Sequence, residues 1–190
     1  MGRLVLIRHG ESEGNRERHF TRTPEVPLTA DGLEQARVAG RWIAARFAPV
    51  RIVSSPFRRA LQTGAVLAET LDLPVDVEPD LREMSYGDLA GQPYEVGRGI
   101  RGTQAYWDWR PPNGETLVEV LARAGAALDR LAATAPEHDL VVVSHGGVMR
   151  ALWRHVTGDW QSGSVVRNAG IMLVEHRAGS YVNVQVVADA

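Results

Sequence analysis

The 190-residue chain contains neither cysteine nor lysine. Without cysteine there is no disulfide, no cysteine-ligated zinc or iron–sulfur cluster, and no thiolate nucleophile. All 21 basic residues are arginine, so a Walker A loop, a protein-kinase β3 lysine and a Schiff base are excluded as well. Metal-binding motifs are also missing: there is no HExxH, no Asp-x-Asp and no pair of histidines at chelating spacing, so no metal or other cofactor is expected. The 21 basic residues face 23 acidic ones, a net charge of -2, which leaves no overall positive field to recruit nucleic acid or anionic lipid. The N-terminal apolar run, Leu4 to Ile7, is too short for a signal-peptide core, and no stretch approaches the ~18 apolar residues of a membrane span. The expectation is a cytoplasmic protein, monomeric or homodimeric, with no nucleic-acid or membrane partner. At 190 residues it reads as one domain over 1–190.

What is present alternates in period. Residues 3–8 form a strand-length apolar run, and Leu33, Ala36, Ala39, Ile43, Ala44 and Phe47 then mark a helical stripe over 30–48. A strand at 50–54, a helix at 57–71 and a short strand at 75–78 follow. Nine glycines and prolines between Gly87 and Gly114 interrupt the pattern, so 87–114 reads as a long excursion with room for one short helix. A helix over 115–134 with Asn113 as its cap, a strand at 139–144, a helix at 147–156 and strands near 170–176 and 181–187 complete the chain. The alternation predicts an α/β fold, a three-layer α/β/α sandwich around a mostly parallel, mixed sheet whose last two strands pair antiparallel.

Ligands of open α/β sheets bind beyond the carboxyl ends of the strands. Arg8-His9-Gly10 follows the first strand, Arg58-Arg59 comes just after the second, and Ser144-His145-Gly146-Gly147 follows the 139–144 strand. Either histidine alone is equally well a loop residue with a satisfied hydrogen bond; together with a guanidinium they suit phosphate. Guanidinium forks match phosphate oxygens, and neutral imidazole is a nucleophile towards phosphorus. His19, His138, His155 and His176 read as structural or exposed.

Arg8-His9-Gly10-Glu11-Ser12 resembles the signature of the histidine phosphatase superfamily, the phosphoglycerate-mutase-like enzymes. The likeness extends through Asn15, Pro27-Leu28-Thr29, Gly32, Gln35-Ala36, Arg59-Ala60, Gln62-Thr63, Leu81-Arg82-Glu83, Tyr86-Gly87 and Ser144-His145-Gly146. It covers nearly the whole chain. The resemblance implies a phosphoglycerate-mutase-like fold and a metal-independent phosphohistidine mechanism. By it, His9 is the nucleophile, Arg8, Arg59 and His145 clamp the phosphoryl oxygens, and Glu83 is the proton donor and acceptor. Asn15, Thr21, Arg22, Tyr86 and Gly146 are the remaining expected contacts to a small phosphorylated substrate.

Within that family the departures favour a phosphomonoesterase over a mutase. Arg22 stands where cofactor-dependent mutases have glycine, Ser85 where they have histidine and Gly147 where they have asparagine, and the mutase's substrate-binding lysine is missing. The absence of a C-terminal tail that would close the site is a further expectation in the same direction. Mutase-type transfer and non-catalytic binding of a phosphate-bearing ligand are the alternatives. The excursion lies where family members carry a lid over the site. Its Tyr94, Tyr106, Trp107 and Trp109, interleaved with Arg98, Arg101 and Arg110, fit core completion, a stacking surface or an acidic substrate.

Overall fold

The computed structural model describes residues 2–160, 166–177 and 179–187. Their strands form a six-stranded sheet in the order β3-β2-β4-β1-β5-β6. The strands β1 (Gly2–Arg8), β2 (Pro49–Ser54), β3 (Val75–Val77) and β4 (Asp139–Ser144) run parallel. The last two, β5 (Ile171–Arg177) and β6 (Ser180–Val187), are antiparallel. The apolar runs read as strands occupy the middle of this sheet, and β4 is buried along its whole length.

The period of two along each strand divides the core between the two faces. Leu4, Leu6, Val53, Leu140, Val142, Met172 and Val174 point to one side, where they meet α5 (Leu117–Thr134) and α6 (Gly146–Thr157). Val5, Ile7, Ile52, Val141, Val143 and Ile171 point to the other, against α2 (Ala30–Ala44) and α3 (Arg58–Leu71), which follow the single-turn helix α1 (Glu13–Arg16). The result is the three-layer sandwich that the alternation predicts.

Two boundaries differ from expectation. The second helix ends at Ala44 rather than 48, yet Phe47 still packs on Trp42 at 5.6 Å, so the apolar stripe outlasts the helix. Asn113 is not the cap of α5. It sits at φ 59°, in a turn, and its side-chain amide donates to Asp88, while Thr116 caps the helix in a reciprocal box with Glu119. Both asparagine and threonine suit an N-cap, and the Thr-x-x-Glu spacing prevails because it satisfies two backbone donors at once. The excursion contains one short α-helix, α4 (Tyr94–Arg101), after a 3-10 turn at Gly87–Leu89.

Strand order places the site. β1 leads into the layer of α2 and α3, β4 leads into α6 on the opposite face, and the two strands are neighbours with Arg8 registered on Ser144. Chain leaving their carboxyl ends therefore diverges, and a crevice opens between them. The His9 end of that crevice is pinned by two interlocked glycines. A Cβ on Gly10 would lie 2.2 Å from the Gly32 carbonyl oxygen, and a Cβ on Gly32 would lie 2.0 Å from that of Glu11.

These obstacles are backbone and cannot swing away. Gly32→Ala is therefore expected to lower the unfolding free energy by about 2 kcal/mol or more. Gly99→Ala in α4, with nothing within 4 Å of the new methyl, should be neutral or mildly stabilising. Denaturant midpoints for the two variants check this, and equal midpoints would contradict the packing.

Candidate active site

His9 leaves β1 with its N–H donating to the Ser144 carbonyl at 2.9 Å and its own carbonyl accepting from Ala169 N at 3.1 Å. Its ring Nδ1 lies 2.6 Å from the Gly10 carbonyl, and Arg59 Nε donates to its Nε2 at 3.0 Å. A carbonyl only accepts and a guanidinium only donates. One tautomer satisfies both contacts, with the proton on Nδ1 and the lone pair on Nε2. Burial, then the charges of Arg59 and Arg8, hold the His9 pKa well below the usual histidine value, so the ring is neutral at pH 7.

His145 is fully buried and meets the His9 ring edge-on at 5.1 Å between centroids. Burial and the neighbouring Arg59 hold its pKa well below normal too. Its Nε2 lies 2.7 Å from Ser55 Oγ, which also accepts from Phe57 N–H and can give its own hydrogen to the ring. In that assignment the His145 proton sits on Nδ1, a buried donor with no protein acceptor. Arg8 Nε and both terminal nitrogens of Arg59 are buried donors without a partner as well. Of six such buried side-chain atoms among the described residues, these four belong to groups beside His9. Unmet donors of this kind in a buried place fit a multivalent oxyanion.

Helix starts add to the field. α2 and α5 are capped by Thr29 and Thr116, whereas α3 and α6, which begin at Arg58 and Gly146, have no side-chain cap. The positive end of α6 thus faces the crevice, where it meets the Glu83 carboxylate instead of a capping side chain. Glu83, buried, accepts from Met84 N–H at 2.9 Å through Oε1, and Gly147 N lies 3.5 Å from Oε2. A Cβ on Gly147 would come within 2.6 Å of Oε1, so the missing side chain lets the carboxylate reach the helix start.

Arg123 of α5 fixes the segment carrying that carboxylate. It donates to the carbonyls of Asp80, Arg82 and Glu83 at 2.7, 2.8 and 3.3 Å, and Glu115 grips its guanidinium from two sides at 3.0 and 2.9 Å. Burial works to raise the Glu115 pKa, but hydrogen bonds from Arg123 and the Ser85 amide outweigh it and hold the pKa below normal. The Tyr86 hydroxyl is pushed up by burial and by the charge of Glu83, so it stays protonated.

These groups open into a cavity of about 460 Å³. Of the residues expected from sequence, Arg8, His9, Asn15, Thr21, Arg59, Glu83, Tyr86 and Gly146 line it, and His145 lies buried against His9. Arg22 does not reach it. Thr21 turns inward while the Arg22 stem lies over Gly91, so the two neighbours diverge. The excursion supplies one wall, through Tyr94, Gly97, Arg98, Arg101, Tyr106 and Trp109. Trp107 instead stacks on Trp160 at 6.0 Å and joins the core, so the two tryptophans divide between the readings open to them.

Sequence reasoning missed Ser55, Arg123, Arg150 and Asn168. Ser55 directly follows β2, and the strand-end rule applied to it would have found it. Asn168 donates to the His9 carbonyl at 3.3 Å and to Asn15 Oδ1 at 2.9 Å. It precedes a strand rather than following one, and reaches the site because β5 runs antiparallel. Arg123 lies in mid-helix and carries no local signal. Among the described residues no cluster of three histidine, aspartate or glutamate side chains could hold a metal, and no helix is long and apolar enough to cross a membrane.

Two neutral imidazoles around a paired backbone, two arginines with free donors and one carboxylate at the closed end define a phosphate-transfer type of site, and the chain belongs to the histidine phosphatase superfamily (branch 1), whose model matches residues 4–189. It is 34% identical over 158 residues to the uncharacterized phosphatase PhoE of Bacillus subtilis, covering 83% of this chain and 79% of that one. It is 32% identical over 192 residues to a 2,3-bisphosphoglycerate-dependent phosphoglycerate mutase of Lactobacillus johnsonii, covering 82% of each. Its fold matches that of a mycobacterial glucosyl-3-phosphoglycerate phosphatase in complex with VO3, with a TM-score of 0.87, 28% identity and 99% of each chain covered.

The lowered pKa values of His9 and His145 make stability depend on pH with a defined sign. Each ring is neutral when folded, but takes up a proton below about pH 6.5 when unfolded. Their contribution is therefore full above pH 6.5 and is lost as pH falls. Between pH 6.5 and 5, before most carboxylates titrate, these two rings should lower the unfolding free energy with a slope approaching two protons, ~2.7 kcal/mol per pH unit, to which His176, its pKa also lowered by burial, adds. Urea titrations across that range test this, and His145→Gln should remove about one proton from the slope.

Proposed function

We propose that the protein is a metal-independent phosphomonoesterase that hydrolyses small phosphorylated metabolites through phospho-His9. The observation that carries this reading is the His9 Nε2 lone pair, fixed by the Gly10 carbonyl on the other ring nitrogen and set beside the unpaired donors of Arg59. A phosphoryl group entering the cavity meets Nε2 as nucleophile and Arg8, Arg59 and His145 as donors to its oxygens. Arg59 Nε–H, which donates to Nε2 in the free site, turns to a phosphoryl oxygen and frees the lone pair; the bond from Nε2 to phosphorus then forms as the ester bond breaks, and the Glu83 carboxyl gives its proton to the leaving oxygen. Water then attacks phospho-His9, Glu83 takes its proton, and inorganic phosphate leaves with the imidazole lone pair restored.

Transfer to a second substrate rather than to water is the other reading, favoured by the likeness to the mutase of Lactobacillus johnsonii. Three positions speak for water. Arg22 is turned away from the cavity, Ser85 is exposed and outside it, and Gly147 places bare backbone beside Glu83 where a larger side chain could not fit.

Acid-quenched turnover of a labelled monoester should leave label on the protein that is acid-labile, base-stable and absent from His9→Ala. Complete loss of activity in chelator, restored by a divalent ion, would contradict a metal-free route. In the presence of excess monoester the label should appear as inorganic phosphate, and appearance in a second ester would instead favour transfer.

Glu83→Gln separates the two chemical steps. An alkyl phosphate needs a protonated leaving group and should slow by roughly 10² to 10⁴. Nitrophenolate leaves without a proton, so the variant should release a burst of nearly one equivalent of nitrophenol and accumulate phosphoenzyme. Equal slowing for both substrates without accumulation would remove Glu83 from proton transfer.

A further inference from the structure

Five arginines line the cavity, Arg8, Arg59, Arg98, Arg101 and Arg150, against one carboxylate, Glu83. Arg8 and Arg59 flank His9 and match a phosphate dianion. Arg98 is engaged by Glu95 at 2.8 Å, and Arg101 by the Gln104 carbonyl at 2.8 Å. Arg150 remains. It projects from α6 one turn beyond Gly146, is partly buried, and forms no hydrogen bond or ion pair among the described residues. Its guanidinium lies over the ring of Tyr106 at 4.9 Å from the centroid. Tyr106 is in turn held by its hydroxyl on the Trp160 carbonyl at 3.1 Å and by Trp107 against its ring at 5.2 Å. A guanidinium held over a fixed ring by cation–π attraction is restrained in position, and its N–H donors stay unspent on other side chains. Its charge also bears on Arg8, which places it near the phosphate end of the cavity.

We infer that Arg150, seated on Tyr106, is a second anion subsite, and that the substrate is a phosphomonoester carrying another anionic group, carboxylate or phosphate, on a body that packs against the aromatic wall. The inference rests on the phosphomonoesterase reading above and narrows its substrate class. Two features favour it over a solvated surface arginine. The wall around it is aromatic, with Phe20, Tyr94 and Trp109 on the same cavity, so water competes less for the guanidinium than on an open face. The acidic side chains that could neutralise it are elsewhere, Glu95 on Arg98 and Arg18, and Glu119 on Arg110.

The test compares phenyl phosphate with 3- and 4-carboxyphenyl phosphate and with 1,3-phenylene bisphosphate. In the wild-type chain at least one doubly anionic substrate should be preferred by roughly 10- to 100-fold in kcat/KM, the value of a charge-assisted hydrogen-bonded pair. Which of them is preferred tells carboxylate from phosphate. In Arg150→Met the preference should collapse to within about threefold, through KM rather than kcat, and Arg150→Lys should restore part of it. A wild-type chain without preference, or a preference kept in Arg150→Met, overturns the subsite. Calorimetric affinities of phenylphosphonate and 3- and 4-carboxyphenylphosphonate repeat the comparison without turnover. If no phosphate ester is hydrolysed but the affinity ratio persists and depends on Arg150, hydrolysis is wrong and the subsite stands; if esters are hydrolysed and the ratio is near one, the reverse holds.

Discussion

One backbone hydrogen bond, from His9 N–H to the Ser144 carbonyl, joins two strand ends that are 135 residues apart in sequence. It continues the β1–β4 ladder one residue past the strand, so both histidines start from the same point and their rings must meet. Everything polar in the site is arranged around that meeting. Arg59 arrives from the start of α3, Ser55 from the end of β2 and Asn168 from the approach to β5. Were β1 and β4 not neighbours with diverging connections, the same residues would lie on separate edges.

The electrostatics follow from burial. Both imidazoles and Arg59 are buried and Arg8 is partly buried, and desolvation together with the positive charges keeps the imidazoles neutral. Neutrality is what leaves a lone pair on Nε2. The guanidiniums bear a cost of their own, since burial lowers the pKa of both and only Glu83 and nearby tyrosines oppose it. A concentration of unmet donors of this kind is hard to explain as a device for stability, because each buried donor without a partner works against folding. It fits a site that carries an anion during its cycle.

Rigidity is built from outside. Arg123, itself held by Glu115, takes the carbonyls of Asp80, Arg82 and Glu83, the Gly10–Gly32 contact fixes the loop after His9, and Gly147 admits the carboxylate to the start of α6. Of these groups only Gly147 lines the cavity itself; the others act through what they hold. The wall contributed by the excursion is different in kind, with one short helix, exposed ion pairs and aromatic rings facing inward. The His9 end of the cavity is thus built from strand ends, and the opposite wall from a segment that also sends Leu89, Tyr106 and Trp107 into or against the core.

The order of strands and helices, the strand-end placement of His9, Arg59 and His145, and the absence of thiol and ammonium chemistry were all legible in the sequence, because they depend on local period and on residue type. Glu83 was legible only through resemblance, since a carboxylate next to Arg82 has no local mark that it faces the cavity. The turn that removes Asn113 from its expected cap, the divergence of Arg22 from Thr21, and the arrival of Asn168, Arg123 and Arg150 were decided by tertiary structure. Each depends on a contact between elements far apart in the chain: an antiparallel strand that reverses which end faces the site, a mid-helix arginine that finds carbonyls some 40 residues away, and a ring 44 residues upstream on which a guanidinium can lie. Sequence period fixes which face of an element is buried, but not which foreign group waits on that face.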